Sequence, residues 1–344
     1  MFFRRTFMQS HYTKRIALAS LGAMLSCAAQ ATEHGQLRAL LGLPGQDLTS
    51  PALPGLYLQT NYQHYSADGF KDKDGNTPVQ SGNFPPIGVV QAQQDSTVRA
   101  DVLALRASWV SESQLWDGRL GVSATLPLVK THIETRLDRL TPLRASIAPV
   151  VDATLAKLSA ANSGNETGLG DMEIAPFIDW QTESYRILFA PAFVAPTGSY
   201  DANRAVNPGA GNFWTIRPAL TLAYVTENGI EFGARTTYSF NTKNLDTDYK
   251  SGQYLHSDGA VMYQIRDGLR LGAAGYLVVQ TTKDSGVGAP EDGNKARVFA
   301  LGPSIGWQSE DSTIGLEFKV LQEFGAQNRP EGTLGWLRLI YRAF

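Results

Sequence analysis

Three short stretches carry residue types that catalysis or metal binding would use, and the first contains a candidate nucleophile. Gly302-Pro-Ser-Ile-Gly306 matches the G-x-S-x-G pattern of a nucleophile elbow. Such an elbow needs a strand, a sharp turn and a helix around the serine. Ser304 instead lies within an alternating strand pattern, and no helical pattern follows it. We therefore predict no catalytic residue here and interpret its neighbours as small side chains that leave interior space.

The other two stretches contain a histidine and a run of acidic residues. His256 and Asp258 share one face of a predicted strand, a pairing that can position an imidazole, but Ser257 points to the opposite face. We interpret His256 and Asp258 as a hydrogen-bonded interior pair. The segment DKDGNTP, residues 72–78, spaces its oxygen ligands as a calcium loop does, yet the glutamate and flanking helices of an EF-hand are missing. We interpret the segment as a polar loop tip and expect neither a metal nor a cofactor, while weak ion binding there stays open as an alternative.

Strands must position these residues, because a period of two recurs along the chain. In GIEFGARTTYSF, residues 229–240, Ile230, Phe232 and Phe240 share one face, and Glu231 and Arg235 share the other. Four more runs alternate in this way over roughly 10 to 13 residues, which is the length of a tilted membrane-crossing strand. Strands of soluble proteins are usually about 5 or 6 residues long.

The connectors between the predicted strands alternate between long and short. We predict twelve strands, beginning near Leu56, Thr97, Gly118, Gly168, Tyr185, Phe213, Gly229, Gly252, Leu269, Asn294, Ser312 and Gly332. The long, polar connectors are residues 67–96, 134–167, 198–212, 242–251, 283–293 and 325–331. An even strand count with short periplasmic turns and long extracellular loops is typical of outer-membrane barrels. The sequence therefore predicts an all-β fold, a transmembrane antiparallel up-and-down β-barrel of about twelve strands.

Charged residues on the polar faces would then line the lumen. The predicted lumen-lining residues are Arg217, Glu231, Arg235, His256, Asp258, Glu317, Lys319 and Arg338, and the same faces add Arg99, Asp101, Glu173 and Glu323. Both signs of charge occur in similar numbers, which favours a self-paired interior over a strongly ion-selective pore. Most of these residues would cross-link the wall, and a subset would line a path.

Aromatic residues recur where predicted strands meet connectors, as in a membrane-interface girdle. They are Trp109, Trp116, Trp180, Tyr185, Phe213, Trp214, Tyr238, Phe240, Trp307, Phe324 and Trp336. The chain ends GWLRLIYRAF, and a terminal aromatic on an apolar strand is typical of barrels recognised by the barrel-assembly machinery. Phe344 falls on the inward parity, which a bulge or a frayed end would reconcile.

The first 31 residues resemble a signal peptide. Arg4, Arg5, Lys14 and Arg15 precede an apolar stretch, and Ala29-Gln30-Ala31 predicts cleavage after Ala31. The single cysteine, Cys27, lies inside this segment, and lipidation there stays open as an alternative. No later stretch reaches the roughly 18 to 20 continuous apolar residues of a spanning helix, so a helical inner-membrane protein is excluded.

Two segments outside the strands need separate interpretation. Residues 32–54 are predicted to form a periplasmic N-terminal segment, for which a plug and a mobile tether are equally open, while 55–344 form the barrel. Ile147, Val151, Leu155 and Leu158 are spaced by three or four residues, which predicts a helix within a long external connector.

The segments YKSGQYLHSDGAVMYQI, GAAGYLVVQTTKDSG, FALGPSIGW and EFGAQNRPEG resemble the outer-membrane family named for the meta-pathway of phenol degradation. The resemblance spans residues 55–344 and is densest in the last hundred. It implies a β-barrel porin or transporter of aromatic or other hydrophobic compounds in the outer membrane of a Gram-negative bacterium. It assigns no residue to ligand contact.

We therefore predict a channel for passive uptake of small hydrophobic or aromatic compounds, since the sequence contains no nucleotide-binding motif. The expected partners are outer-membrane lipid, the barrel-assembly machinery and a small solute. The formal net charge of −2 gives no reason to expect nucleic acid. The alternatives are an outer-membrane lipid hydrolase on a similar barrel and a structural or adhesin barrel.

Overall fold

The computed structural model describes residues 37–50 and 53–344, and the predicted signal peptide lies outside these residues. Sixteen strands and one helix form the described fold. The strands are β1 Gly55–Lys71, β2 Val79–Phe84, β3 Gly88–Leu115, β4 Gly118–Arg139, β5 Gly164–Leu169, β6 Glu173–Gln181, β7 Tyr185–Val194, β8 Thr215–Val225, β9 Ile230–Asn241, β10 Tyr249–Lys250, β11 Tyr254–Arg266, β12 Leu269–Gln280, β13 Ser285–Gly286, β14 Arg297–Gln308, β15 Ile314–Gln327 and β16 Arg329–Arg342. Helix α1 is Ala148–Ala161, and Gln46–Leu48 forms a short 3-10 turn.

Twelve of the strands close into an antiparallel barrel, which confirms the predicted fold class. The first strand, β1, pairs with the last strand, β16, on one side and with β3 on the other. The pairing continues from β3 to β4 and then around the wall through β6, β7, β8, β9, β11, β12, β14 and β15. Each of the twelve wall strands is therefore paired on both sides, which is what a bilayer without hydrogen-bonding solvent requires.

The apolar face of each barrel strand points outward. On one face of β9, Phe232 and Phe240 are each 43% exposed. On the other face of the same strand, Glu231 is 4% exposed and Ser239 is fully buried. A soluble sandwich would bury the aromatic face and hydrate the carboxylate. The opposite arrangement places the apolar face against acyl chains and the polar face in the lumen.

Short turns gather at one end of the barrel and long connections at the other. The short turns are residues 116–117, 182–184, 226–229, 267–268 and 309–313, and the two chain ends of the barrel meet at this end, where the Leu56 amide donates to the Phe344 carbonyl at 3.2 Å. We assign this end to the periplasm, as in outer-membrane barrels generally.

At the opposite end, the β3 and β4 strands continue past the barrel wall. They are the longest strands, with 28 and 22 residues, and β2 and β5 pair with their upper halves. The predicted helix is confirmed as α1, which packs on β4 through buried Val151 and Leu155. Both residues belong to one buried cluster with Phe84 from β2, so α1 covers an extracellular extension of the sheet.

Several sequence-based boundaries were wrong. The predicted connector 325–331 is almost entirely strand, because Asn328 adopts a left-handed φ of 52° and joins β15 to β16 in a tight turn. The β3 strand begins at Gly88 rather than Thr97, since much of the predicted connector 67–96 belongs to β1, β2 and β3. The β6 strand begins at Glu173 rather than Gly168 because β5 is a separate short strand.

Two of the predicted girdle aromatics were also misplaced. Trp336 is 1% exposed and Phe213 is 5% exposed, so both lie inside the protein. Trp109, Trp116 and Tyr185 are at least half exposed, as a girdle residue should be. Phe344 is 71% exposed and follows the end of β16, so it is an end residue outside the inward set.

The outward orientation predicts a depth-dependent cost for a charge. Leu220 lies in the middle of β8 with 43% of its surface exposed. Leu220→Arg should lower the free energy of unfolding by about 2–4 kcal/mol in lipid bilayers, because a guanidinium there meets hydrocarbon. Val89 is 63% exposed in the extracellular hairpin of β2 and β3. Val89→Arg should therefore leave the free energy of unfolding almost unchanged. Urea titration of both variants in liposomes measures the difference, and equal costs would contradict the assigned membrane face.

Candidate functional site

The structure places all eight predicted lumen residues on the inward faces of five strands. Arg217 comes from β8; Glu231 and Arg235 from β9; His256 and Asp258 from β11; Glu317 and Lys319 from β15; and Arg338 from β16. Seven of them are at most 4% exposed, and Arg235 is half-buried. Burial of this many charges without partners would be strongly unfavourable. The partners of these charges therefore show how the lumen is filled.

Residues 37–50 run through the lumen and supply many of those partners. The Lys319 Nζ donates to the Leu43 carbonyl at 2.9 Å and to the Pro44 carbonyl at 2.7 Å. The Gly42 amide donates to the Asp258 carboxylate at 2.8 Å. The lumen charges therefore bind the main chain of the N-terminal segment. Because these contacts use backbone groups, the side chains of the segment do not predict them.

The lower part of the segment is held by ionic contacts near the periplasmic end. One carboxylate oxygen of Asp47 lies 2.9 Å from an Arg338 guanidinium nitrogen, and Arg338 also pairs with Glu317. The Thr49 hydroxyl bonds to Glu231. Arg186 donates to the Ser50 carbonyl at 3.0 Å.

The upper part of the segment is anchored by Arg38 near the extracellular end. Its Nε lies 3.1 Å from the Asp171 carboxylate, and its guanidinium stacks 3.7 Å above the Phe213 ring. The Arg38 carbonyl accepts a hydrogen bond from Arg217 at 2.7 Å. Phe213 is thus buried beneath the Arg38 guanidinium in a cation–π contact. The sequence did not indicate this role.

Apolar contacts fix the segment between these anchors. Leu41 and Leu48 belong to one buried cluster with Met262, Tyr276 and Leu321 from the wall. The Trp336 indole also turns inward and donates to the Leu41 carbonyl at 3.0 Å. This explains why Trp336 is absent from the girdle.

Glycine allows the segment to approach the wall closely at two positions. A Cβ on Gly233 of β9 would lie 2.5 Å from the Leu48 Cβ, and one on Gly45 would lie 1.8 Å from a Glu317 carboxylate oxygen. Both distances are well below van der Waals contact. A larger side chain at either position would displace the segment.

The candidate catalytic residues are not assembled. Ser304 lies inside β14 opposite Gly272 and Lys319, with no strand-turn-helix elbow around it. His256 Nε2 lies 2.9 Å from Asp258, on the inward face as predicted, and Asp258 also receives the Gly42 amide. Ser257 lies on the outward face and bonds to Thr236.

The candidate calcium loop is closed on itself. The Asp72 carboxylate accepts the backbone amides of Asp74 and Asn76, each at 2.9 Å, and Asp74 pairs with Lys73. These bonds cap a tight turn. Within residues 37–50 and 53–344, no cluster of three or more metal-ligating side chains is present, and no helix is long and apolar enough to cross a membrane.

Two cavities remain in the lumen beside residues 37–50, which line part of each. The upper cavity has a volume of about 300 Å³. Most of its lining from β3 and β4 is apolar, namely Val98, Ala100, Val102, Pro127, Val129 and Ile133, and the same strands add the polar residues Gln94, Ser96, Thr125, Thr131 and Thr135. The lower cavity has a volume of about 170 Å³ and opens among residues near the periplasmic end. Both cavities are lined by Arg106, Glu173, Arg217 and Arg235, which therefore mark their junction.

The apolar wall overturns the inward assignment of Arg99 and Asp101. Both lie on the outward parity of β3, above the membrane region, where Arg99 pairs with Asp68 and Asp101 pairs with His64. The inward parity instead leads to Arg106, which the sequence prediction missed. Because both faces of β3 contain apolar residues, alternation alone does not identify the inward face. The parity of Arg106 was the sequence signal that could have identified it.

Comparison with solved structures supports the fold. The structure is similar to an outer membrane channel of Pseudomonas putida F1 with a TM-score of 0.64 and 14% sequence identity, over 86% of this chain and 97% of that chain. At this identity the likeness shows the fold alone.

Two further solved structures match with lower scores. A Ralstonia pickettii toluene transporter gives a TM-score of 0.36 at 11% identity over 94% of this chain and 97% of that one. A Pseudomonas aeruginosa FadL homologue gives 0.37 at 12% identity over 84% and 90%. Neither similarity is high enough to inform the function of this chain.

No match was found among curated proteins. The family model described as "Putative MetA-pathway of phenol degradation" matches residues 67–339, which is most of the chain. With that match and with its closed twelve-stranded barrel, the chain belongs to this family of phenol-degradation-associated outer-membrane barrels.

Proposed function

We propose that the protein is an outer-membrane channel through which small, largely apolar or aromatic molecules pass without an energy source. The observation that carries this proposal is the pair of cavities that meet at Arg106, Glu173, Arg217 and Arg235. Together they extend from the extracellular part of the lumen to its periplasmic part along one wall. A barrel whose interior served only as a scaffold would have no need of such a path.

The upper cavity favours an apolar solute. Its wall contributes Val98, Ala100, Val102 and Val129, which offer no hydrogen bonds to a hydrated ion. When an aromatic molecule enters this cavity, its apolar surface is removed from water. That burial offsets the translational and rotational freedom that the molecule loses. The family description, which refers to phenol degradation, supports an aromatic solute.

Residues 37–50 act in this proposal as a fixed plug. They fill the side of the lumen that carries Asp258, Lys319 and Arg338, and their carbonyls and amides bind those charges. The path is therefore narrow and lies between the plug and the β3–β8 wall. The wider organisation that we propose is a signal peptide at 1–31, a periplasm-side segment at 32–54 and a barrel at 55–344.

The same proposal assigns the remaining partners. The apolar outer face would contact outer-membrane lipid, and β16 with Phe344 would be the element that the barrel-assembly machinery recognises. Neither contact involves the lumen, so both are independent of the solute.

Filling the upper cavity should block uptake. Ala100→Trp places an indole on the inward face of β3, where it occupies much of a space of about 300 Å³. We expect uptake of radiolabelled phenol by complemented deletion cells to fall several-fold at low substrate concentration. Leu105→Trp is the matched control, because Leu105 lies on the outward face of the same strand and is 44% exposed. Equal uptake by the Ala100→Trp and Leu105→Trp variants would contradict the proposed path.

Removing the plug should widen the channel. We expect deletion of residues 37–50 to raise single-channel conductance in planar bilayers by several-fold, since water and ions would replace the segment. The strand hydrogen bonds that hold the barrel remain, and heat-modifiable gel mobility checks folding. Gly45→Leu is a milder variant that clashes with Glu317 and should give a smaller rise. If both variants fold and conduct as the unchanged protein does, the segment is not a plug.

A further inference from the structure

The junction of the two cavities holds more cationic than anionic groups. Three guanidinium groups meet there, those of Arg106, Arg217 and Arg235, together with one carboxylate, that of Glu173. Each comes from a different strand, namely β3, β8, β9 and β6, so the closed wall holds them at fixed positions. All solute that crosses between the cavities must pass these four side chains.

The carboxylate at the junction is already paired with one arginine. A terminal nitrogen of Arg217 lies 2.8 Å from Glu173 Oε2, and the same nitrogen donates to the Arg38 carbonyl at 2.7 Å. Arg217 is therefore bound both to the wall and to the plug. Glu173 supplies no ion pair to the other two arginines within 4.0 Å.

Among the residues that the structure describes, no ion pair within 4.0 Å is made by either of the other two guanidinium groups. Within residues 37–50 and 53–344, the one side-chain hydrogen bond of Arg106 goes to the Ser123 hydroxyl at 2.9 Å. Within the described part of the chain, Arg235 has neither a hydrogen bond nor an ion pair, and the Nε atoms of both residues are buried without an acceptor. A guanidinium has five N–H donors, so most of the donors at the junction are unused.

Two further carboxylates must be counted. Asp47 lines the lower cavity, and Arg338, 2.9 Å away, balances its charge. Asp258 lies opposite Arg235 in the β9–β11 register, but its Oδ1 is engaged by His256 and by the Gly42 amide. With Asp258 included, three guanidinium groups oppose two carboxylates. The excess is a single positive charge, which suits a monoanion better than a phosphate dianion.

The upper cavity determines what kind of molecule can carry that negative charge. Its apolar wall ends at the junction, so a molecule with an apolar body against Val102 and Val129 would bring a terminal charged group to the arginines. Carboxylates match the planar fork of guanidinium in a bidentate geometry. Rings of arginine are also how pores select anions.

We propose that Arg106, Arg217 and Arg235 form a binding site for the carboxylate of small monocarboxylic acids with an apolar body, and that such acids are the preferred solutes of the channel. This rests on the proposed channel function and narrows its substrate class. Arg106 and Arg235 supply the free donors, and Glu173 holds Arg217 in place and disfavours a second negative charge.

The test measures chloride current through the full mature protein in planar bilayers, with potassium benzoate, benzyl alcohol and potassium phosphate as probes. Benzoate should block the current at millimolar concentration. Benzyl alcohol, which has the same ring without the charge, should block at least about tenfold more weakly because it cannot accept charge-assisted hydrogen bonds. Arg235→Gln and Arg106→Gln should each weaken the benzoate block by about tenfold. Arg99→Gln, on the outward face, is the control and should leave the block unchanged.

The outcomes separate this inference from the channel itself. A protein that conducts no ions and takes up no aromatic solute would overturn the proposed function and the site together. A conducting protein in which benzoate and benzyl alcohol block equally would overturn only the carboxylate site. Phosphate that blocks as well as benzoate would show a general anion site and would overturn the assigned substrate class. Should a Gln variant fail to fold, the comparison of the three probes on the unchanged protein still decides.

Discussion

The requirement that every buried polar group find a partner governs this barrel more than any other constraint. The bilayer enforces closure, because hydrocarbon cannot hydrogen-bond a free strand edge. The lumen then encloses charges such as Lys319, Asp258 and Arg338, which are at most 2% exposed. Many of their partners come from the main chain of residues 37–50, which donates and accepts where water would otherwise be needed. The N-terminal segment is therefore part of the electrostatic structure of the barrel.

This arrangement divides the lumen into two unlike halves. On one side, β11, β12, β15 and β16 bind the segment through ion pairs, carbonyls and a buried apolar cluster. On the other side, β3 and β4 present aliphatic side chains to an open cavity. The arginines at the cavity junction belong to the open half, and Arg217 alone also binds the segment. A lumen with mixed charge overall can thus contain a locally cationic and partly apolar path.

Much of the fold could be predicted because its main signal is local. Alternation over 10 or more residues, as in residues 229–240, indicates a long two-faced strand, and the loop pattern supports a barrel of twelve. Parity also placed residues such as Glu231 and Arg338 inward. It failed for Arg99 and Asp101, because the inward parity of β3 carries Val98, Ala100 and Val102, and the two charged residues between them point outward. The contacts of Trp336 and Phe213 depend on a segment far away in the chain, so no local pattern could reveal them.

Hydrogen exchange of the backbone amides in residues 37–50 tests the central claim most directly. The Gly42 amide donates to buried Asp258 and the Leu48 amide donates to the Gly45 carbonyl, both inside the lumen. In the folded protein in detergent, mass spectrometry of the peptide that covers these residues should show protection lasting as long as that of the barrel strands. Complete exchange within seconds, while the strands stay protected, would show that the lumen charges are satisfied by water and would contradict this account.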